Sequence, residues 1–559
     1  MRPTGSPSSA TRAFEWETFH QRGKPGENVA ADVHAIPKEK GSEAKIERNS
    51  GTGTHVSDSA GIAKLIEERW QEIEALRERN WKAPSRWWPA RLRRRAFLVA
   101  RSLPVPPGRS VLELGGGSGI WTEHLAAVLA GHNPITSIVF NKELVWVAQS
   151  RNLPNTTFVP AVNLQSTISP ETIDYIVGTG ILSDDLFPAA LELAFRWLRP
   201  GGEFLFFIPN SPNRVVSLQK FMNRFSGRKE GAASQSVGDP KVWIDAAVRR
   251  GFEGIEATPC EVIPPLDSSV GQAIGLIMER APVGRRFAGI FSLRGSKPGR
   301  AGSKTSPPVN LATHRELFGA VSIVVPCHNE AANINRLVTT LLGMYGDYIH
   351  EIVIVDDNST DRTAEVATER GRVDPRVKLV RRKPPAGVGR ALRNGYAAAS
   401  GKYILSIDCD FVNIAPEFSG LFDAVAEGYD GAIGSRFSSE SALVRYPFLK
   451  ILCNRVYHLL LNLILGTRVR DITNNLKLYR AGILKNLDIE EDHFAANVET
   501  GLKPLLLNYR IREVPMSWIN RTADMGKSSF NLLKVGPGYL GVLLRCTWRH
   551  WRGQFQVSR

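Results

Sequence analysis

Apolar runs that stop on glycines or acids and then hand over to a helical segment recur in two separate stretches of this chain. That handover restricts the fold more than any other feature. In the first stretch Ser110 to Leu114 reads as a strand and Ile120 to Leu129 as a helix, and Ile135 to Phe140 is the next strand. Further strands are expected at Ile173 to Gly178, Gly202 to Ile208 and Ala273 to Glu279. In the second stretch the runs from Val321, Glu351 and Tyr403 read as strands, with a helix over Ala331 to Leu342. Strands that alternate with helices give mostly parallel sheets with helices on both faces. The expected class is therefore α/β, with two three-layer domains.

Composition divides the rest. Residues 1–58 are rich in Ser, Gly, Thr, Lys and Glu and read as disordered. The first domain is expected over 59–284. It opens with a helical extension whose stripe is Ile62, Leu65, Ile66, Trp70, Ile73 and Leu76. A basic Gly/Ser/Pro tether is expected over 285–319 and the second domain over 320–559. The 5 cysteines form no C-x-x-C pair, which argues against a disulfide framework or a zinc site and for a reducing cytoplasm. Met1 to His20 lacks the apolar stretch of a signal peptide. The longest apolar candidates, Leu459 to Leu465 and Tyr539 to Leu544, fall short of the ~20 residues that span a bilayer. The chain is expected to lie on a membrane rather than cross it. A net charge of +16 favours an acidic partner: nucleic acid, anionic lipid or a phosphorylated substrate.

In the first stretch, Val111-Leu-Glu113-Leu-Gly115-Gly-Gly117-Ser-Gly119 is a strand entering a glycine turn and then a helix. Glycines permit the turn and close approach of a ligand, and a helix N-terminus offers free N–H groups. With Thr172-Ile-Asp174-Tyr-Ile-Val-Gly and Leu198-Arg-Pro-Gly201-Gly202, this resembles class I S-adenosylmethionine-dependent methyltransferases. The resemblance implies a Rossmann-like fold, S-adenosylmethionine as cofactor, and cofactor contacts from Glu113, Gly115, Gly117, Gly119 and Asn163. It also exposes a departure. The family's ribose-binding acid after the second strand is Val139 here, and a valine accepts no hydrogen bond. Two readings stay open: altered cofactor contacts, or a kept fold with lost chemistry.

In the second stretch three strands deliver polar or acidic groups at their C-terminal ends, the ligand edge of an open parallel sheet. They are Pro326-Cys-His-Asn329-Glu330, Asp356-Asp357 and Asp408-Cys409-Asp410. Helix capping accounts for one such acid, Asp361, but poorly for all three groups. An Asp-x-Asp at a strand mouth suits a hard divalent cation. The segments resemble family 2 glycosyltransferases of the GT-A fold. Arg381-Arg-Lys…Gly387-Val-Gly389-Arg390, Gly434-Ser-Arg436-Phe and Val469-Arg470-Asp471 resemble the polyprenyl-phosphate mannosyl and glucosyl transferases among them.

That resemblance implies inverting sugar transfer from a nucleotide-sugar donor to an acceptor, a polyprenyl phosphate or another glycan. It places Pro326, Glu330, Asp357 and Arg390 at the nucleotide and Mg²⁺ or Mn²⁺ on Asp408 and Asp410. Arg436, Arg470 and Lys527 would face the acceptor phosphate, and Arg521 and Glu499 would join Asp408 and Asp410 in catalysis. The Thr473-Asn-Asn-Leu476 stretch departs from the family's T-S-G-F. The segment 445–466 interleaves apolar residues with Arg445, Lys450, Arg455 and His458. With the Arg/Trp-rich 545–552, it suits the inner face of a membrane or an ordinary core helix. An aqueous glycan acceptor with an inactive methyltransferase-fold module remains the competing account, and nucleic-acid binding is disfavoured because it leaves the acid-ended strands unexplained.

Overall fold

The structure is a computed structural model. It describes residues 59–82, 87–103, 105–162, 168–179, 186–209, 240–261, 278–279, 288–299, 309–411, 417–438, 440–444, 446–520 and 532–555. All of these belong to one compact unit that begins at Val56.

Two seven-stranded sheets carry the fold. The first comprises β1 (Val111–Leu114), β2 (Ile135–Val139), β3 (Thr156–Pro160), β4 (Ile173–Thr179), β5 (Leu198–Pro209), β6 (Glu253–Cys260) and β7 (Ile290–Ser296), ordered β3-β2-β1-β4-β5-β7-β6. Strands β1 to β5 run parallel, and β7 is antiparallel to both neighbours. Alternation sends β1 side chains to two faces. Leu112 and Leu114 pack with Leu191 and Trp243, while Val111 packs with Leu92, Trp121 and Leu125. Helices therefore cover both faces, as expected for parallel strands.

The second sheet comprises β8 (Val321–Cys327), β9 (Ile349–Asp356), β10 (Val377–Arg381), β11 (Tyr403–Ser406), β12 (Gly431–Ser435), β14 (Lys477–Arg480) and β15 (Ile511–Pro515). Its order is β10-β9-β8-β11-β14-β12-β15, with β14 antiparallel to β11 and β12. A small parallel pair joins β13 (Leu443–Val444) to β16 (Trp518–Ile519). Ile323 and Val325 enter one apolar cluster and Val324 the other, again two buried faces.

The expected tether begins later than position 285. Ile290–Ser296 is a strand whose alternate residues Phe291 and Leu293 are buried, because period-2 burial overrides the Gly/Ser/Arg composition. The strand expected at Ala273 to Glu279 lies mostly outside the described residues, and residues 278–279 are helical. The expected disordered segment and the centre of the tether, 300–308, also lie outside them. A buried ion pair of 2.6 Å from Arg101 to Glu417 joins the helix Trp87–Ser102 to the helix Glu417–Ala426.

Among the described residues one helix, Phe448–Leu465, is long and apolar enough to cross a membrane by length and composition alone. The sequence reading undercounted it because Lys450, Arg455 and His458 interrupt the apolar run.

Candidate functional site

The C-terminal ends of β8, β9 and β11 meet at one place, because parallel register puts Cys327 beside Asp356 and Val324 beside Ser406. A cavity of about 580 Å³ opens there. Pro326, Glu330, Asp357, Asp408, Asp410 and Arg436 all line it, six of the residues named from sequence.

The acids differ in how they are held. Asp408 Oδ1 accepts a 3.1 Å hydrogen bond from Asn475 Nδ2. Glu330 starts the helix Ala331–Tyr345 and accepts from Asn333 Nδ2 at 2.6 Å, while its N–H donates to Thr363 Oγ1 at 2.8 Å. Asp357 is committed to the turn that follows β10: one oxygen pairs with Arg382 and the other accepts from Gly387 N at 2.6 Å. It shapes the 382–387 turn that borders the cavity. Among the described residues no group of three or more His, Cys, Asp or Glu could hold a metal by itself. Asp408 and Asp410 fit a hard cation that takes its remaining oxygens from a substrate diphosphate or water.

Arg436 is fixed in place. Its Nε and Nη2 grip Asp471 at 2.7 and 2.9 Å, and Nη1 donates to Tyr446 Oη at 3.1 Å. Burial would raise the Asp471 carboxyl, but the Arg436 guanidinium overrides it and holds it far below the usual carboxylate range. A bidentate buried pair pre-orients the cation at little further entropic cost. Lys450 lines the same cavity; burial and Arg436 pull its ammonium down while Asp410 pulls the other way. In the sequence Lys450 is only one basic residue of the 445–466 segment, with nothing beside it to mark a site. Lys477 lies fully buried behind Asp408, and burial brings its ammonium down to about 7.

Three expected residues are placed elsewhere. Arg390 and Arg393 both hold Asp492, each at 2.5 Å, and Arg390 does not line the cavity. Arg470 is exposed and also outside the lining. Glu499 is buried, paired with Lys503 at 2.9 Å and accepting from Glu491 N at 2.8 Å, so it braces a loop. Arg521 and Lys527 lie outside the described residues.

Part of the lining is apolar. Leu452, Val456 and Leu460 of Phe448–Leu465 contribute to it, with Trp518 and Tyr539. The same helix exposes Leu449, Leu459 and Leu463, and the helix Leu532–Trp551 exposes Leu540, Leu544, Trp548 and Trp551.

The glycine turn of the first sheet has the expected geometry, with positive φ at Gly115, Gly117 and Gly119. Its surroundings differ from expectation. The Glu113 carboxyl points inward and accepts from Thr122 Oγ1 and Ser137 Oγ, both at 2.7 Å. A Cβ on Gly117 would lie 2.4 Å from Glu78 Oε1 and 2.5 Å from Arg77 Nη2, so the space against it is already taken. Asn163 lies outside the described residues. These residues do not fit an S-adenosylmethionine site.

Comparison with known proteins divides the chain the same way. Residues 322–488 match the family described as Glycosyl transferase family 2, and residues 111–202 match the Methyltransferase domain family. Polyprenol monophosphomannose synthase of Mycolicibacterium smegmatis is 27% identical over 240 residues, 41% of this chain and 86% of the relative. Dolichol-phosphate mannosyltransferase of Pyrococcus furiosus is 32% identical over 221 residues, 38% of this chain and 62% of the relative. Glucosyl-3-phosphoglycerate synthase from Mycobacterium tuberculosis, solved with Mn²⁺ and UDP-glucose, is 19% identical with a TM-score of 0.33, covering 43% of this chain and 83% of that one.

Proposed function

This chain carries a family 2 glycosyltransferase domain beside a methyltransferase-fold domain, and from that premise we propose that it moves a sugar from a nucleotide-sugar donor to a polyprenyl phosphate. The observation that carries the reading is the mixed lining of one cavity: Asp408, Asp410, Glu330 and Arg436 share it with Leu452, Val456 and Leu460. The charged residues suit a donor diphosphate and the leucines and valine an isoprenoid chain.

The mechanism follows from charge. Asp408 and Asp410 would hold Mg²⁺ or Mn²⁺, and the cation would supply charge neutralisation for the departing nucleoside diphosphate. Pro326, Glu330 and the turn fixed by Asp357 border the donor. The acceptor phosphate is already anionic and needs no strong base. Its attack, with inversion at the sugar carbon, requires two anions to be held together. Arg436 and Lys450 supply the positive charge, Arg436 in an orientation set by Asp471. Arg521 and Lys527 are assigned the same task by the sequence resemblance. The exposed leucines of Phe448–Leu465 and the exposed leucines and tryptophans of Leu532–Trp551 rest on the inner face of a membrane, where the acceptor resides.

Organic-phase label transfer tests this. The full chain is incubated with Mg²⁺ or Mn²⁺, a polyprenyl phosphate and labelled GDP-mannose or UDP-glucose, beside an Asp410→Asn control. The reading predicts lipid-extractable label with one donor and none from the control. Label appearing only in a water-soluble glycan or as free sugar would move the acceptor to the aqueous phase.

A further inference from the structure

We infer that the methyltransferase-fold half takes no S-adenosylmethionine, because the helix Ser59–Lys82 occupies the cofactor's seat with its own carboxylates. This stands independently of the sugar-transfer reading, since it concerns the other sheet.

The helix presents Trp70, Glu74, Arg77, Glu78 and Trp81 on one face, at i, i+4, i+7, i+8 and i+11. All five are buried. That face lies against the C-terminal edge of the first sheet, where this architecture receives ligands. Glu74 Oε1 accepts from Gly117 N at 3.0 Å, and Oε2 accepts from Phe140 N at 3.1 Å and Asn141 N at 2.8 Å. Glu78 Oε1 accepts from Ser118 N at 3.0 Å and Oε2 from Ser118 Oγ at 2.6 Å. Arg77 Nη1 donates to Gly115 O at 2.7 Å and Thr179 O at 3.2 Å. Trp70, fully buried, packs against Phe140, with ring centroids 4.1 Å apart.

These are the groups a ligand would need. Backbone N–H groups of the glycine turn and of the β2 end are the sheet's offer to an incoming polar molecule. Here two internal carboxylates have accepted that offer. The missing ribose acid fits the same picture: Val139 leaves the β2 end without a carboxylate of its own, and Glu74 brings one there from the helix Ser59–Lys82. Both of its oxygens are spent on backbone donors rather than turned toward a pair of hydroxyls. An entering cofactor would have to displace a buried ring, two hydrogen-bonded carboxylates and a guanidinium together, and it would regain only part of those bonds.

Two measurements on the unmodified full-length chain test the inference. Equilibrium dialysis with labelled S-adenosylmethionine is expected to show no saturable binding up to about 1 mM. Backbone hydrogen exchange is expected to be slow at Gly117, Ser118, Phe140 and Asn141 without any ligand, at least about 100-fold below the unprotected rate. Saturable binding at one molecule per chain would overturn the inference. So would fast exchange at those four amides, because it would mean that the helix does not hold them.

Discussion

The two sheets of this protein offer the same kind of edge and use it in opposite ways. At the second sheet, strand ends from β8, β9 and β11 border an open cavity whose acids are held at its wall by neighbours such as Asn475 and Asn333. At the first, the strand ends meet a helix of the same chain, and Glu74 and Glu78 take the N–H groups of the glycine turn. Architecture therefore makes a site available, and side chains from outside the sheet decide whether it stays open.

The sharpest way to break this contrast is at the open edge. Asp410→Asn is expected to lower sugar transfer by about 10³-fold, roughly 4 kcal/mol of barrier, with the thermal unfolding midpoint unchanged. An active Asp410→Asn protein would remove the cation from the account. At the closed edge, Glu74→Ala should cost stability rather than activity. Two buried N–H groups and one half-buried one lose their acceptor, and the expected loss is about 3 kcal/mol in denaturant unfolding. A neutral Glu74→Ala would show that the carboxylate does not hold the edge shut.

Two smaller effects sharpen the picture. Leu463 is 72% exposed, and Leu463→Asp should weaken sedimentation with anionic vesicles by about 10-fold while leaving nucleotide binding intact. Equal vesicle binding would take this helix off the membrane. Glu351, buried near the start of β9, would be raised by burial, but hydrogen bonds from Lys378, Ser400 and Ser322 win and bring it down to about 2. A lowered acid stabilises the fold fully above its unfolded value near 4.5, and that contribution fades as pH falls toward 2. Glu351→Gln should therefore cost about 1 kcal/mol at pH 7, with the gap closing below pH 4.5. Urea midpoints for both proteins across that range check the sign.

Much of this was legible in the sequence, for local reasons. The glycine turn and the acid-ended strands announce themselves because each strand and the turn after it are contiguous. What was hidden depends on distance. Glu74 reaches Gly117 across 43 positions, and in a helix a charged triplet such as Glu74, Arg77 and Glu78 ordinarily reads as a solvated face. The available signal was that those charges continue the Trp70 stripe, while Val139 removes the expected acid. Strand β7 was masked by Gly, Ser and Arg, although Phe291 and Leu293 carry its alternation. Arg390 and Glu499 matched a pattern by position, yet Asp492 and Lys503 hold their charges elsewhere. The choice of partner for a long charged side chain is tertiary information.

The most direct test of the contrast is calorimetry of one full-length preparation against two ligands. The account predicts saturable heat for a nucleoside diphosphate with Mn²⁺, lost in Asp408→Asn/Asp410→Asn, and no saturable heat for S-adenosylmethionine. Saturable binding of S-adenosylmethionine, or diphosphate binding indifferent to the two aspartates, would contradict it.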